Sequence, residues 1–286
     1  MSAAGRQIRL SRLFSRADAR AVVFAFDHGL QLGPIPGTVD LRAGVALALE
    51  ADFDGIILGP GALARTADMI GGRNGPAVIM RLDQTTMWRL GGRFSQDQGQ
   101  TRLIAGVDDA IQLGADAVLT FLFTCHHDPA LETRSVEIVA QTVNAARAWG
   151  MPVVVEPMAA RQGRIGQPFD GEVIAMNTRI AVELGADVIK TDWAADAGDF
   201  RQVVLGSVDV PVLVAGGARM DSDQDTLALV RDVLSAGARG VMFGRSLFQS
   251  PQPLALMKAV RAMVHDHLSY EDAVARLSPG AGPCVR

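Results

Sequence analysis

Short apolar runs recur along the chain, and each follows a stretch with helical character. Strand alternating with helix predicts a parallel sheet with right-handed crossovers. Runs that are apolar on both faces are typical of strands covered on both sides. The eight predicted strands are Ala21–Phe26, Gly55–Leu58, Ala77–Leu82, Ala117–Phe123, Pro152–Glu156, Val188–Thr191, Pro211–Ala215 and Gly240–Phe243.

The residues that lead into these strands alternate in kind. Gly114, Gly185 and Gly237 stand where the helices before the fourth, sixth and eighth strands should end in left-handed geometry. A proline introduces the third, fifth and seventh strands, where it removes no ladder bond. Eight such units predict an α/β fold closed into a (β/α)8 TIM barrel. An open doubly wound sheet is the alternative, but no Gly-x-Gly-x-x-Gly follows the first strand.

Length and composition agree with one large domain. We expect a single barrel over residues 1–286, with a short N-terminal extension and a flexible C-terminal tail from about residue 278. A net charge of −4 with scattered arginines argues against nucleic acid as a partner. No run reaches the ~20 apolar residues of a membrane span. Cys125 and Cys284 form no metal spacing and no disulfide framework, which fits a cytoplasmic location.

In a barrel of this kind, functional residues lie where the strands end and in the loops that follow. His126 and His127 are neighbours in such a loop but have no further ligands at metal spacing, so we expect no metal and no other cofactor. The predicted strand ends carry Asp27, His28, Asp83, Phe123, Glu156, Lys190, Asp192, Gly216, Gly217, Gly244 and Arg245.

Lysine is nearly absent from the chain, yet one lysine ends the sixth predicted strand. Of 27 basic residues only Lys190 and Lys258 are lysines. A deprotonated primary amine can attack a carbonyl and form an imine, which arginine cannot do. Lys190 is therefore the candidate nucleophile. The alternative is that an arginine-rich composition left this lysine only to pair with a carboxylate.

Two neighbouring turns resemble a phosphate cradle. Gly216 and Gly217 follow the seventh strand, and Gly244 and Arg245 follow the eighth. Many barrels bind phosphate at these two loops, because glycine lets the backbone approach the oxygens and arginine adds charge-assisted bonds. The alternative is that the glycines only make tight turns.

Imine chemistry also requires groups that move protons. Asp27 and Glu156 are the best-placed carboxylates, and an alternative for Asp27 is to pair with Lys190 and tune it. Either carboxylate could simply hydrogen-bond a neighbouring loop. His28, Asp83 and Asp192 are further candidates for lining the site.

With these residues in view, the chain resembles the archaeal-type class I aldolases of the fructose-bisphosphate aldolase and DeoC/LacD-like superfamily. The resemblance runs from about Ala21 to Ala275. It rests on four segments: Ala25-Phe26-Asp27-His28-Gly29, Gly185-Ala186-Asp187-Val188-Ile189-Lys190-Thr191, Pro211-Val212-Leu213-Val214-Ala215-Gly216-Gly217 and Gly244-Arg245-Ser246-Leu247-Phe248-Gln249.

The resemblance implies that Lys190 forms a Schiff base, that Asp27 lies in the active site, and that the glycine turns hold a sugar phosphate. It also implies a homo-oligomer. One departure is that the sugar-cleaving members have a tyrosine near the end of strand four, where this chain has Phe121-Leu122-Phe123-Thr124. A phenyl ring cannot exchange a proton, so we expect lyase chemistry on a phosphorylated keto compound rather than one named sugar.

Two rival functions stay open from the sequence. The first rival is thiolase chemistry, because a relative that degrades phosphorylated autoinducer-2 transfers an acetyl group to coenzyme A. Another member of the group makes an aminodideoxyheptulosonate by transaldol chemistry. A catalytically silent barrel used for binding or assembly is the second rival. If Arg65, Arg73 and Arg93 converge on the mouth of the barrel, which is its open end where the strands finish, we expect a second anionic group on the substrate.

Overall fold

A computed structural model describes residues 2–72, 75–89, 93–94, 99–161, 163–194 and 196–277. The predicted tail from about residue 278, together with Cys284 and Arg73, lies outside these ranges. Within them, no helix is both long enough and apolar enough to cross a membrane.

Eight parallel strands close into a barrel, which confirms the predicted (β/α)8 fold. Each barrel strand pairs with the next one along the chain, and the last strand, β10, pairs with the first, β1. The barrel strands are β1 (Ala21–Ala25), β2 (Gly55–Leu58), β3 (Ala77–Arg81), β6 (Ala117–Thr124), β7 (Val153–Ala159), β8 (Val188–Thr191), β9 (Val212–Ala215) and β10 (Gly240–Phe243).

The helices pack around the outside of this barrel. Gly114, Gly185 and Gly237 have φ of 75°, 100° and 96°, so the predicted left-handed endings are confirmed. The helices are α1 (Ser2–Leu13), α2 (His28–Leu32), α3 (Leu41–Glu50), α4 (Pro60–Ile70), α5 (Val107–Gln112), α6 (Pro129–Trp149), α7 (Gly171–Leu184), α8 (Ala197–Gly206), α9 (Asp223–Ser235), α10 (Arg245–Phe248), α11 (Pro253–His265) and α12 (Tyr270–Ala275).

One element of the fold has no counterpart in the predicted pattern. Strands β4 (Asp83–Thr85) and β5 (Thr101–Leu103) form a small antiparallel sheet between β3 and α5, and a 3₁₀ turn (Met87–Arg89) follows β4. Each strand has only three residues and carries polar side chains, so neither produces an apolar run.

The N-terminal segment is a helix that closes one end of the barrel. Leu10 and Leu13 on the apolar face of α1 pack against the inward side chains of the strands. Three arginines of the N-terminal segment reach aspartates that precede barrel strands: Arg6 contacts Asp187, Arg12 contacts Asp116 and Arg16 contacts Asp54. The expected extension is therefore part of the folded barrel.

Those aspartates also hold the strands in register. Asp54 accepts a hydrogen bond from the Val22 amide, Asp116 from the Val78 amide, and Asp187 from the Val153 amide, at 2.7, 3.0 and 2.9 Å. In each case the aspartate that precedes one strand binds the amide at the start of the preceding barrel strand. The repeated Asp before strands two, four and six thus fastens the amino-terminal end of the barrel.

Alternate residues of each strand point inward, and their character changes along the barrel axis. Small and branched side chains such as Ile57, Leu119 and Val154 fill the end nearest α1. The next inward residues along β3, β7 and β8 are Arg81, Glu156 and Lys190, because they follow Ile79, Val154 and Val188 by two positions. The open, carboxyl-terminal end of the barrel is therefore charged.

Candidate active site

Lys190 lies inside the barrel mouth, one residue before the end of β8. The residue is only 5 % exposed, and its Nζ lies 2.9 Å from Glu156 Oε1 on the neighbouring strand β7. Both side chains line a pocket at the carboxyl-terminal end of the strands. The ε-amine is thus aimed into the site, with a carboxylate in direct contact to accept or return its proton.

A third buried charge, Arg81, organises the carboxylates of the mouth. Its Nε donates to Asp27 Oδ2 at 2.7 Å, its Nη2 donates to Glu156 Oε2 at 2.5 Å, and its Nη1 lies 3.4 Å from Asp83 Oδ1. The guanidinium carbon also lies 3.8 Å from the centroid of the Phe121 ring. Since Arg81 is 1 % exposed, these groups surround it in place of solvent, and its planar fork fixes where each carboxylate points.

The sequence pattern alone did not identify Arg81. The predicted strand extends to Leu82, and the candidate at its tip is Asp83. A signal was present, because Ala77, Ile79 and Arg81 share one face of the strand, and an arginine in an otherwise apolar run must find partners inside the barrel.

Burial and the neighbouring charges shift the pKa values of Asp27 and His28, which follow β1. Burial alone would raise the pKa of Asp27, but Arg81 and Lys190 together hold that pKa well below its usual range. Burial lowers the pKa of His28 to about 4, with Lys190 and Arg245 acting in the same direction against Asp27. Asp27 is therefore an anion, and His28 is a neutral imidazole, at neutral pH.

Two other carboxyls have the opposite tendency. Burial raises the pKa of Asp83 to about 6 against the opposing effect of Arg81, and burial raises the pKa of Asp192 to about 6 with a contribution from Glu156. Asp83 is fully buried, and its Oδ2 accepts a hydrogen bond from the Phe121 amide at 2.7 Å. Asp192, by contrast, lines the pocket itself.

The predicted glycine turns lie on the same pocket. Gly217 has φ of 63°, and a side chain at Gly244 would overlap the His28 ring and the Ala25 carbonyl oxygen. Arg245 follows directly and is largely buried, which lowers its pKa. Its Nε has no hydrogen-bond partner within the described residues, which leaves a buried donor for a bound anion.

Aromatic side chains form the remaining wall. Phe121 and Phe123, on β6, stack with centroids 5.0 Å apart, and Trp88 packs against both rings. The region of β6 where the resemblance implies a tyrosine therefore carries phenyl rings. Arg161, after β7, packs over the Trp88 and Phe169 rings and also lines the pocket.

Two of the arginines considered for a second anion site, Arg65 and Arg93, do not line the pocket. Arg65 is exposed and lies beside a different depression near α3 and α4, and Arg93 packs on Phe94. Arg73 lies outside the described residues. Arg161, two residues after the end of β7, lines the pocket instead, which the sequence pattern did not reveal.

Most of the predicted site residues are brought together by the fold. Asp83 does not line the pocket and belongs instead to the Arg81 network. The predicted residues that line the pocket are Asp27, His28, Glu156, Lys190, Asp192, Gly216, Gly217, Gly244 and Arg245.

Comparison with known proteins agrees with this geometry. A family model described as the DeoC/LacD family aldolase matches residues 21–250. The chain is 33 % identical to a 2-amino-3,7-dideoxy-D-threo-hept-6-ulosonate synthase of Halobacterium salinarum, over 96 % of this chain and 97 % of that protein. It is 31 % identical to an uncharacterized aldolase of Saccharolobus solfataricus, over 94 % of this chain and 98 % of that protein.

The fold is also similar to a solved enzyme. An archaeal fructose-1,6-bisphosphate aldolase, with its catalytic Lys covalently bound to the carbinolamine intermediate of the substrate, superimposes with a TM-score of 0.79. The two chains are 26 % identical, and the match covers 91 % of this chain and 99 % of that one.

Proposed function

The chain belongs to the DeoC/LacD family of aldolases, and we propose that it acts through an imine formed between Lys190 and the carbonyl carbon of a phosphorylated keto compound. It is a class I aldolase, a carbon–carbon lyase. The observation that carries the assignment of Lys190 is its buried Nζ, which contacts Glu156 and lies on the same pocket as the glycine turns.

Glu156 is the group that handles protons at the nitrogen. Transfer of one proton along the 2.9 Å contact from Lys190 to Glu156 leaves a neutral amine beside a carboxylic acid. The amine then attacks the carbonyl carbon to give a carbinolamine. Glu156 returns its proton to the departing hydroxyl, which leaves as water, and the resulting carboxylate pairs with the iminium.

Asp27 contributes charge rather than a proton in this scheme. Its pKa is depressed below the usual range, against the effect of burial, by Arg81 and Lys190. A permanent anion near the nitrogen stabilises the iminium that forms there. The sequence left three roles open for Asp27, which are proton transfer, pairing with Lys190 and a hydrogen bond to a neighbouring loop. This scheme uses the second role, in which the charge of Asp27 tunes Lys190.

The phosphate is held by Arg245 and the backbone at Gly216, Gly217 and Gly244. The unpartnered Nε of Arg245 supports this assignment, as does the lack of room for a side chain at Gly244. Binding at this edge places the substrate carbonyl toward the centre of the mouth, where Lys190 lies. The fructose bisphosphate aldolase that is similar in fold has a phosphorylated substrate, in agreement with this class.

Trapping the imine tests the proposal directly. The protein is incubated with a panel of keto phosphates, including dihydroxyacetone phosphate and fructose 1,6-bisphosphate, and then reduced with borohydride. A stable mass increase on the peptide that contains Lys190 is expected. No adduct with any member of the panel, or an adduct on Lys258 instead, would show that the proposal is wrong.

Self-association and a cytoplasmic location stay predictions. Light scattering coupled to size-exclusion chromatography measures the first, with more than one chain per particle as the expected result.

A further inference from the structure

The imine scheme leaves one proton transfer without a group to perform it, and any assignment of that group rests on the proposed function. Breaking the carbon–carbon bond requires a base for the hydroxyl proton on the departing carbon. The enamine that remains requires an acid to protonate its carbon. Efficient transfer in both directions favours a group that titrates near the working pH.

Three of the titratable groups that line the pocket are unsuited to this task. Asp27 is held as an anion in its ion pair with Arg81, and Glu156 is bound by Arg81 and Lys190 at its two oxygens. His28 packs edge-on against the Phe248 ring, with centroids 5.2 Å apart, and retains a proton poorly because burial lowers its pKa to about 4.

Asp192 differs from these groups in its position and its contacts. It follows Lys190 by two residues, directly after the end of β8, and an extended chain separates the Cα atoms of two such residues by about 6–7 Å. The residue is 7 % exposed and lines the pocket. In the part of the chain that the structure describes, no side chain forms a hydrogen bond or an ion pair with its carboxyl group.

We infer that Asp192 carries the proton to and from the carbon skeleton during cleavage and its reversal. As a carboxylate it removes the hydroxyl proton from the carbon beyond the bond that breaks. The O–H electrons form the aldehyde C=O, the C–C electrons form the enamine C=C, and the iminium nitrogen becomes neutral. The protonated Asp192 then gives its proton to the enamine carbon, which restores the iminium and the carboxylate.

The charges that face Asp192 from the neighbouring strands suit this exchange. Arg161 on the loop after β7, Arg245 after β10 and Lys190 on β8 favour its anion, whereas burial and Glu156 favour its neutral form and raise its pKa to about 6. A substrate phosphate at Arg245 would add negative charge nearby, which favours the neutral acid further. Substrate binding therefore prepares Asp192 to hold a proton that the empty site would release.

The replacement Asp192→Asn keeps the shape of the side chain and removes the exchangeable carboxyl. The probe is dihydroxyacetone phosphate in D2O, and two quantities are measured: the borohydride adduct on Lys190 and the exchange of a carbon-bound hydrogen for deuterium. We expect the adduct to form and the exchange rate to fall by about 10²- to 10⁴-fold. Asp192→Glu should retain part of the exchange, because it keeps a carboxyl.

Asp187→Asn is the matched control. Asp187 precedes the same strand at the opposite end of the barrel, where it is also partly buried and binds the Val153 amide. An asparagine oxygen can still accept that bond, so exchange should stay at the wild-type rate.

The outcomes separate this inference from the proposed function. If the wild-type protein forms no adduct with any keto phosphate, the imine scheme is wrong and the inference falls with it. If Asp192→Asn forms the adduct and exchanges deuterium at the wild-type rate, only the inference is overturned, and His28 becomes the proton carrier to test. Failure of Asp192→Asn to form the adduct would overturn it as well, because the role of Asp192 would then precede enamine formation.

Discussion

At the amino-terminal end of the barrel, three aspartates contact three different arginines, whereas at the carboxyl-terminal end three carboxylates share Arg81. The arginines near α1 are partly in solvent; the Arg12 side chain, for example, is 66 % exposed. Arg81 is 1 % exposed. The same residue types are thus used at both ends, but in different numbers and at different depths.

The difference is the reason why we assign a structural role to one end and the proposed chemistry to the other. Each of the three amino-terminal aspartates binds an arginine and a strand amide, Asp54 also contacts His265, and these contacts fasten the register. At the carboxyl-terminal end Asp27, Asp83 and Glu156 share the buried Arg81. Burial raises the pKa of Asp83 and of Asp192, whereas Arg81 and Lys190 lower the pKa of Asp27. Such shifts in the pKa of buried carboxyls are common among groups that transfer protons.

The largest expected effect follows replacement of the amine itself. Lys190→Arg keeps the positive charge beside Glu156 but cannot form an imine, so we expect the borohydride adduct to disappear and turnover to fall by about 10⁴-fold or more. Lys258→Arg is the control, because Lys258 is exposed and contacts Glu50 on the surface. Retained turnover in Lys190→Arg would mean that the mouth does its chemistry without this amine.

Removing the shared arginine should affect folding more than removing one of the separate arginines. Arg81→Met leaves three carboxylates without their cation in a buried site, and we expect the free energy of unfolding to fall by about 3–5 kcal/mol. Arg12→Met removes an exposed partner of Asp116, and we expect a loss of about 1 kcal/mol or less. Urea unfolding of both variants measures the contrast, and equal losses would contradict the distinction between the two ends.

The anion site can be separated from the imine site by measuring phosphate affinity. Arg245→Gln removes a largely buried charge, and we expect about tenfold to hundredfold weaker binding of inorganic phosphate, equivalent to about 1.4–3 kcal/mol. Calorimetric titration gives the dissociation constant. Arg65→Gln, which changes an exposed arginine outside the pocket, should bind phosphate as the wild-type protein does.

The smallest effect concerns the stability of the mouth as a function of pH. Burial raises the pKa of Asp192 to about 6 in the folded protein, whereas the unfolded value is about 3.9. Below the unfolded value the carboxyl is neutral in both states and costs no stability. Above the folded value it is ionised in both states, and its burial destabilises the fold. Asp192→Asn should therefore be more stable than the wild type by about 1–3 kcal/mol at pH 8. The difference should vanish as the pH falls to about 4.

Chemical denaturation at both pH values measures this difference. A stability gap that is independent of pH would show that Asp192 is not an ionisable destabilising group, whereas a wild-type protein more stable than Asp192→Asn at pH 8 would show that it is firmly ion-paired.

Much of the fold was accessible from local pattern. Proline at the start of a run and glycine after a helix mark the boundaries of the barrel strands, because both residues act through their own backbone geometry. Some predicted bounds shift by one residue, as where Pro152 and Pro211 lie just outside their strands and where β1 ends at Ala25. The predicted end of the fifth strand at Glu156 was wrong, because β7 continues to Ala159. The hairpin of β4 and β5 was missed since its short polar strands are defined by pairing and not by periodicity.

The candidate site was accessible only in part. The barrel rule, which places strand ends at one mouth, collected Lys190, Glu156 and Arg245 on one pocket, although Glu156 lies in the middle of β7 and not at its end. It could not show that Arg81 lies within reach of three carboxylates, because those partners are 54, 2 and 75 residues away in the chain. Nor could it bring Arg161 over the mouth, since loop paths are set by packing against side chains such as Trp88 and Phe169.

The sequence by itself determined the order of strands and helices, the closed barrel, and the presence of one amine at a strand end. These depend on the alternation of side chains along each strand and on the residues that stop a helix, both of which are local properties. Tertiary structure alone decided which carboxylates are paired, which ones have a raised pKa, and which arginines line the pocket. Those outcomes depend on burial and on distances between strands, because the strength of a charge interaction is fixed only when its surroundings are folded.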